Sequence, residues 1–256
     1  MPPSTDTCTA APLGLASPAI SRPAVGLLLS EPWRAAVELV SHKLGRAAPA
    51  GLPPGDGHPV VIFPGLAADG NAVAPLRDHC RALGYTAFDW GRGLNVGPRG
   101  DVDAWVADLA AHVRSLLDEH EGRATLIGWS LGGLYAREVG KLLAPQVRRV
   151  ITIGTPFNAE ADHSHVGWLY RLLNGAPARL DTAMSERLRT PPPVPTVSIY
   201  SRNDGIVAWQ TCTHGERERA SALVRDLEVD SSHIGMVWNP RVLRAVGEQL
   251  ALPVSA

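Results

Sequence analysis

Ile127-Gly128-Trp129-Ser130-Leu131-Gly132-Gly133 is the stretch that decides how the rest of this chain is read. Ahead of it, Arg123-Ala124-Thr125-Leu126 is short and mostly apolar, as a buried strand requires. Behind it, Leu134-Tyr135-Ala136-Arg137-Glu138-Val139 opens a helical pattern. A serine with a glycine two residues away on either side, between strand and helix, has the spacing of a nucleophile elbow. The cause is steric. A strand that turns at once into a helix strains the backbone of the turning residue and brings its neighbours too close for side chains. Gly128 and Gly132 remove those side chains and leave Ser130 projecting from the top of the sheet. Taken alone, the pentapeptide also fits a glycine-rich turn with an incidental serine.

The surrounding chain sets the bounds. Its 256 residues suffice for one sizeable α/β domain and are few for two separate cores. An apolar content of 45% with 19% charged residues describes an ordinary globular protein. A net charge of −1 argues against nucleic acid or an anionic membrane recognised through bulk charge. Cys8, Cys80 and Cys212 are widely spaced and form no CxxC pair, so they give neither a disulfide framework nor a zinc site. A Cys80–Cys212 bridge stays open, with free thiols in a reducing compartment as the preferred reading. The N-terminus has no basic residue before Arg22 and lacks the charged start of a secretory signal. The apolar run Val25–Leu29 stops at Ser30-Glu31-Pro32, too short to span a bilayer. The expectation is a cytoplasmic protein without a transmembrane segment, its oligomeric state left open.

Residues 1–23, rich in Pro, Ala, Ser and Thr, read as a disordered tail, and 24–57 as a helix followed by a Pro/Gly linker. Ser30 is the expected N-cap of that helix, with Glu31 and Pro32 in its first turn. Residues 58–252 read as the α/β domain. Val60-Val61-Ile62-Phe63 and Val147 to Ile153 are apolar runs of the kind buried on both faces of a parallel sheet. Helical periodicity follows at 73–83 and 101–120, with a strand at Tyr85–Phe88 between them. Residues 157–193 break the rhythm and read as a small helical insertion over the carboxyl ends of the strands, or as an ordinary crossover helix with a long loop. The sheet resumes at Thr196–Tyr200, then a helix near 216–224, a strand at Leu227–Val229 and a last helix from Pro240 to Leu250. The pattern predicts a doubly wound, mostly parallel sheet with helices on both faces.

A serine hydroxyl needs a base to take its proton and a third group to orient that base. In an open parallel sheet such groups converge at the carboxyl ends of the strands. Asp204 is the carboxylate in the turn after Tyr200, although an Asp-Gly turn bonding its own backbone reads the same way. His233 follows the last strand, and the order Ser130, Asp204, His233 agrees with the elbow. Asp230 is the alternative acid, three residues before His233. His163 and His165 in the insertion read as solvated or as substrate contacts. An oxyanion needs two donors. The N–H of Leu131 is one, and the N–H of Leu66, after the first buried strand, is the other, with Gly65 letting the chain pass close. Trp129, Trp168, Leu169, Trp209 and Trp238 fit an apolar site for an acyl chain or, equally, the core. No phosphate loop, dinucleotide fingerprint or metal-ligand cluster is present, so no cofactor is expected.

Together, Phe63-Pro64-Gly65-Leu66, Gly128–Gly132, Gly154-Thr155-Pro156, Asp204-Gly205-Ile206-Val207 and Ser232-His233 resemble the α/β-hydrolase superfamily on its lipase and esterase side. The likeness covers about residues 58–250. It implies a serine ester hydrolase acting on a small-molecule ester or lipid-like substrate, with Ser130 as nucleophile, His233 as base, Asp204 as acid and Leu66 and Leu131 as oxyanion donors. Many relatives carry His-Gly where this chain has Pro64-Gly65, which leaves the backbone donor and changes how its loop is held. The insertion is shorter than the lids of many lipases. An acyltransferase with the same three residues, or a non-catalytic binding protein of the same fold, are the alternatives.

Overall fold

The computed structural model describes residues 20–45, 51–158 and 182–253. Six parallel strands form one sheet: β1 Pro59–Phe63, β2 Thr86–Asp89, β3 Ala124–Trp129, β4 Val147–Ile153, β5 Thr196–Tyr200 and β6 Val224–Glu228. Their spatial order is β2-β1-β3-β4-β5-β6, so the sheet starts one strand in from an edge, winds first to that edge and then to the other side. Pairing sets Ile62 beside Ile127 and Phe63 beside Gly128, which brings the ends of β1 and β3 level.

Alternation along the strands builds two cores. Val61, Phe63, Leu126 and Val150 face one layer with helices α3 (Val102–Leu117) and α4 (Leu131–Leu142). Val60, Ile62, Ile127, Ile151 and Ile199 face the other, with α2 (Ala74–Ala82) and α7 (Pro240–Ala251). The central strands β1 and β3 are buried throughout, which is why their sequences carry no polar alternation. Helices therefore cover both faces of a parallel sheet, as the pattern predicts.

Two boundaries differ from the sequence reading. The N-terminal helix α1 spans Val25–Leu44 and starts after Ala24, so Ser30 is inside it and not its N-cap. The apolar run Val25–Leu29 joins the helix. Around Pro32, which has no N–H to give, the Ser30 Oγ and Arg34 Nη2 donate to the Leu27 carbonyl. At the far edge, the helix expected near 216–224 is only one turn, α6 (Glu216–Arg219), and β6 begins at Val224. As an edge strand β6 is half-exposed, so Arg225 and Asp226 interrupt the apolar run that marks the inner strands. After β4, Phe157 is buried, α5 covers Thr182–Arg189, and 159–181, most of the expected insertion, lie outside the described residues.

Cys80 and Cys212 are both buried free thiols, which leaves the proposed bridge unmade. Burial pushes the Cys80 thiol up to about 12. Among the described residues, no helix is long and apolar enough to cross a membrane, and no group of three His, Cys, Asp or Glu side chains is arranged to hold a metal ion.

Candidate active site

β3 ends at Trp129 and α4 begins at Leu131, so the whole turn is Ser130. Its φ of 54° and ψ of −122° lie in a region that L-residues avoid. The strain is held by the surroundings. The Ser130 N–H donates to the Ile153 carbonyl on β4 at 2.8 Å. A Cβ at Gly132 would strike the carbonyls of Phe63 and Pro64, so only glycine lets α4 start directly against the end of β1.

The loop after β1 runs past this turn. A Cβ at Gly65 would come within 3.1 Å of the Trp129 ring and 3.3 Å of the Ser130 Cβ. Ala67, just beyond, is with Ser130 the other non-glycine residue with positive φ among the described residues. No other described group accepts from the N–H of Leu66 or of Leu131. The Leu131 N–H is at the N-terminus of α4, where helix N–H groups point outward and favour negative charge.

His233 stands in the loop after β6, with Nε2 at 3.1 Å from the Ser130 Oγ. Its Nδ1 is 2.6 Å from Asp204 Oδ2, and both side chains are buried. The other carboxylate oxygen, Oδ1, accepts from the N–H groups of Ile206 and Val207 at 2.8 and 2.7 Å. Asp204 thus bonds its own turn and also reaches the histidine. Burial alone pushes the His233 imidazole down, but the adjacent Asp204 charge and hydrogen bond, with the charge of Glu31, leave it above its ordinary 6.5. Asp230 faces outward, bonded to Asn203 and Arg241, and does not reach the ring.

The tryptophans, read from the sequence as pocket or core alike, divide among different surroundings. Trp129 is in the core, its indole N–H donating to the His233 carbonyl at 3.1 Å, so it braces the histidine loop. Trp209 is half-buried, stacked on Tyr200, with the Arg202 guanidinium 4.1 Å from its ring centroid. Trp238 donates to the Ala35 carbonyl and pins α1. Trp168, Leu169, His163 and His165 lie outside the described residues.

One residue near the site carried no signal in the sequence. Asn95 is fully buried and ties down the loop after β1. Its Nδ2 donates to the Pro64 carbonyl at 2.8 Å, its backbone carbonyl accepts from the Ala67 N–H, and its Oδ1 accepts from Gly97 N–H. Within the glycine-rich stretch after β2, nothing distinguishes it from a turn asparagine.

The comparisons with known proteins agree with this fold. The family model described as serine aminopeptidase, S33, matches residues 58–220, and the chain belongs to this family of α/β-hydrolases. Among solved structures, a lipase B from Aspergillus fumigatus superposes with a TM-score of 0.58 at 19% identity, over 81% of this chain and 56% of that one. A monoacylglycerol lipase from Paleococcus ferrophilus gives 0.56 at 16%, over 77% and 95%. The thioesterase domain from the curacin biosynthetic pathway gives 0.53 at 12%, over 77% and 92%. At such identities the likeness is one of fold, here the fold of lipases and esterases. A curated relative, polyketide synthase ThaQ from Burkholderia thailandensis, is 36% identical over 136 residues, 50% of this chain and only 6% of that protein.

Proposed function

We propose that the protein is a serine hydrolase that cleaves carboxylic esters through an acyl-enzyme on Ser130. The observation that carries this reading is the unbroken chain from Ser130 Oγ to His233 Nε2 and from His233 Nδ1 to Asp204. As Ser130 attacks the carbonyl carbon, its proton passes to His233, and Asp204 stabilises the imidazolium that forms. The oxyanion takes hydrogen bonds from Leu66 and Leu131 N–H, each such donor being worth about 3 kcal/mol of barrier. His233 then protonates the departing alcohol, and water, deprotonated by the same ring, releases the acid. The strained elbow supports this assignment, because strain of that kind persists only where the surroundings hold it.

The polyketide synthase relative and the thioesterase-domain fold match favour a second reading, in which the acyl group arrives as a thioester. The same three side chains serve, with a thiol leaving. The test is labelling with a fluorophosphonate, followed by turnover of p-nitrophenyl esters and acyl-N-acetylcysteamine thioesters with and without an added alcohol acceptor. Wild type is expected to label while Ser130→Ala and His233→Ala do not. Preference for the thioesters would select the second reading, and ester product formed from the acceptor would select acyl transfer. A folded wild type that neither labels nor turns over any of them defeats the hydrolase reading.

A further inference from the structure

Helix α1 lies far from the site in sequence, yet one of its side chains holds both loops that form it. Glu31 is 2% exposed. Its Oε1 accepts from Gly205 N–H at 2.7 Å, next to Asp204, and from the N–H of His233 itself at 3.0 Å. Its Oε2 faces the Ile234 N–H at 3.3 Å. Arg34, one turn on, pairs with Oε1 at 2.9 Å and donates to the Asn203 carbonyl. A further turn along, Glu38 accepts from the Ser232 N–H and hydroxyl.

Each loop also carries a glycine that makes room for the helix. A Cβ on Gly205 would lie 2.5 Å from the Leu27 carbonyl, and one on Gly235 would strike the Glu38 carboxylate. At their bases the loops are joined by Ser201, whose hydroxyl donates to the Ser231 carbonyl and accepts from its N–H. Farther out, Asn203 of one loop bonds Asp230 of the other, and beside Asp204 and His233 the side chain of Glu31 contacts both loops.

We propose that Glu31 is a positioning residue, a buried carboxylate on α1 that fixes the separation of the Asp204 and His233 loops and so the contact between His233 and Ser130. This rests on the Ser130–His233–Asp204 reading above. An anchor for the helix alone needs no charge, and burying a carboxylate is costly unless it is paired and fully hydrogen-bonded. A carboxylate has acceptor sites for about four donors, which matches three backbone N–H groups and Arg34. Its negative charge also favours the imidazolium that forms as Ser130 is deprotonated. The charged groups set around His233 are Asp204 from the end of β5 and Glu31, Arg34 and Glu38 from α1, and of these Asp204 and Glu31 favour its protonated form.

The test compares wild type with Glu31→Gln, Glu31→Asp and Glu31→Ala on p-nitrophenyl butyrate, with kcat expressed per fluorophosphonate-titrated site and folding followed by circular dichroism. For Glu31→Gln, kcat per site is expected to fall about tenfold with KM within about twofold, and Glu31→Ala to fall roughly 100-fold. The acid limb of kcat/KM is expected to move to lower pH in Glu31→Gln and to stay near its wild-type position in Glu31→Asp, which keeps the charge one methylene short. Should Glu31→Gln not fold, Glu31→Asp carries the test through its lowered kcat at an unmoved limb. Folded variants with wild-type kcat per site and an unmoved limb would overturn the proposal. So would a loss that tracks only the fraction of titratable sites, the behaviour of a mere helix anchor. A wild type that neither labels nor turns over fails the hydrolase reading itself, and with it this one.

Discussion

Among the described residues, two aspartate–histidine–hydroxyl chains run through the molecule, one at each end of the sheet. At the carboxyl ends of the strands, Asp204 bonds His233 at 2.6 Å and His233 meets the Ser130 hydroxyl at 3.1 Å. At the amino ends, Asp56 bonds His58 at 2.5 Å and His58 meets the Thr125 hydroxyl at 2.9 Å. The connectivity is the same and the surroundings are opposite. Thr125 is fully buried within β3, held between β1 and β4 by its neighbours' register. Ser130 is on the strained turn, and the N–H groups of Leu66 and Leu131 meet no acceptor among the described residues. Burial lowers the His58 pKa, the charges of Arg148 and Arg149 lower it further, and Asp56 only partly opposes them. Around His233 the carboxylates prevail and hold the pKa above its ordinary value. A hydrogen-bonded acid–base–hydroxyl chain is therefore a common way to satisfy buried polar groups. The backbone at the hydroxyl and the donors around it separate the two.

The largest expected contrast is at the hydroxyls. Ser130→Ala should lower kcat by roughly 10⁴- to 10⁶-fold. Thr125→Val should leave kcat within about twofold and cost about 1–3 kcal/mol in urea unfolding, because it strips a buried ring nitrogen of its partner. At the acids, Asp204→Asn should lower kcat by about 10³- to 10⁴-fold with the fold intact, while Asp56→Asn should have no comparable effect. Unchanged turnover in Asp204→Asn would move the orienting role elsewhere. A smaller loss, about tenfold in kcat, is expected for Asn95→Ala, which frees the loop bearing Leu66; an effect on KM alone would assign Asn95 to substrate binding instead.

The smallest effects are in pH. His233 must be neutral to accept a proton, and its pKa is raised, so the acid limb of kcat/KM should fall above pH 6.5. In stability the two histidines should act in opposite senses. His233 contributes below pH 6.5 and its contribution is lost as pH rises through its raised folded pKa. His58 contributes above pH 6.5, and its contribution is lost as pH falls through its lowered folded pKa. Unfolding free energies of His58→Gln and His233→Gln relative to wild type, measured from pH 5 to 9, should therefore slope in opposite directions. Parallel slopes would show that the two environments are alike after all.

The parts of the fold legible in the sequence were those whose causes are local. The inner strands β1, β3 and β4 announce themselves because burial on both faces demands unbroken apolar runs. The elbow does so because Gly128 and Gly132 stand where side chains cannot. β6 was placed late because an edge strand keeps polar residues. Trp129, beside Ser130, fits pocket or core equally by sequence, and the strand's alternation turns it into the core. Glu31 and Asn95 were out of reach for another reason. Glu31 meets its loop partners 174 to 203 residues away in the chain, and Asn95 meets Pro64 across 31. Only the sheet order brings them together.

The central claim is that of the two hydroxyls only Ser130 becomes acylated. Rapid acid quench of wild type reacting with p-nitrophenyl butyrate, followed by peptide mass spectrometry, tests it directly. The expected result is a butyryl mass increment on the peptide containing Ser130, absent from Ser130→Ala and undiminished in Thr125→Val. Turnover with no increment, or an increment on any other residue, would contradict it.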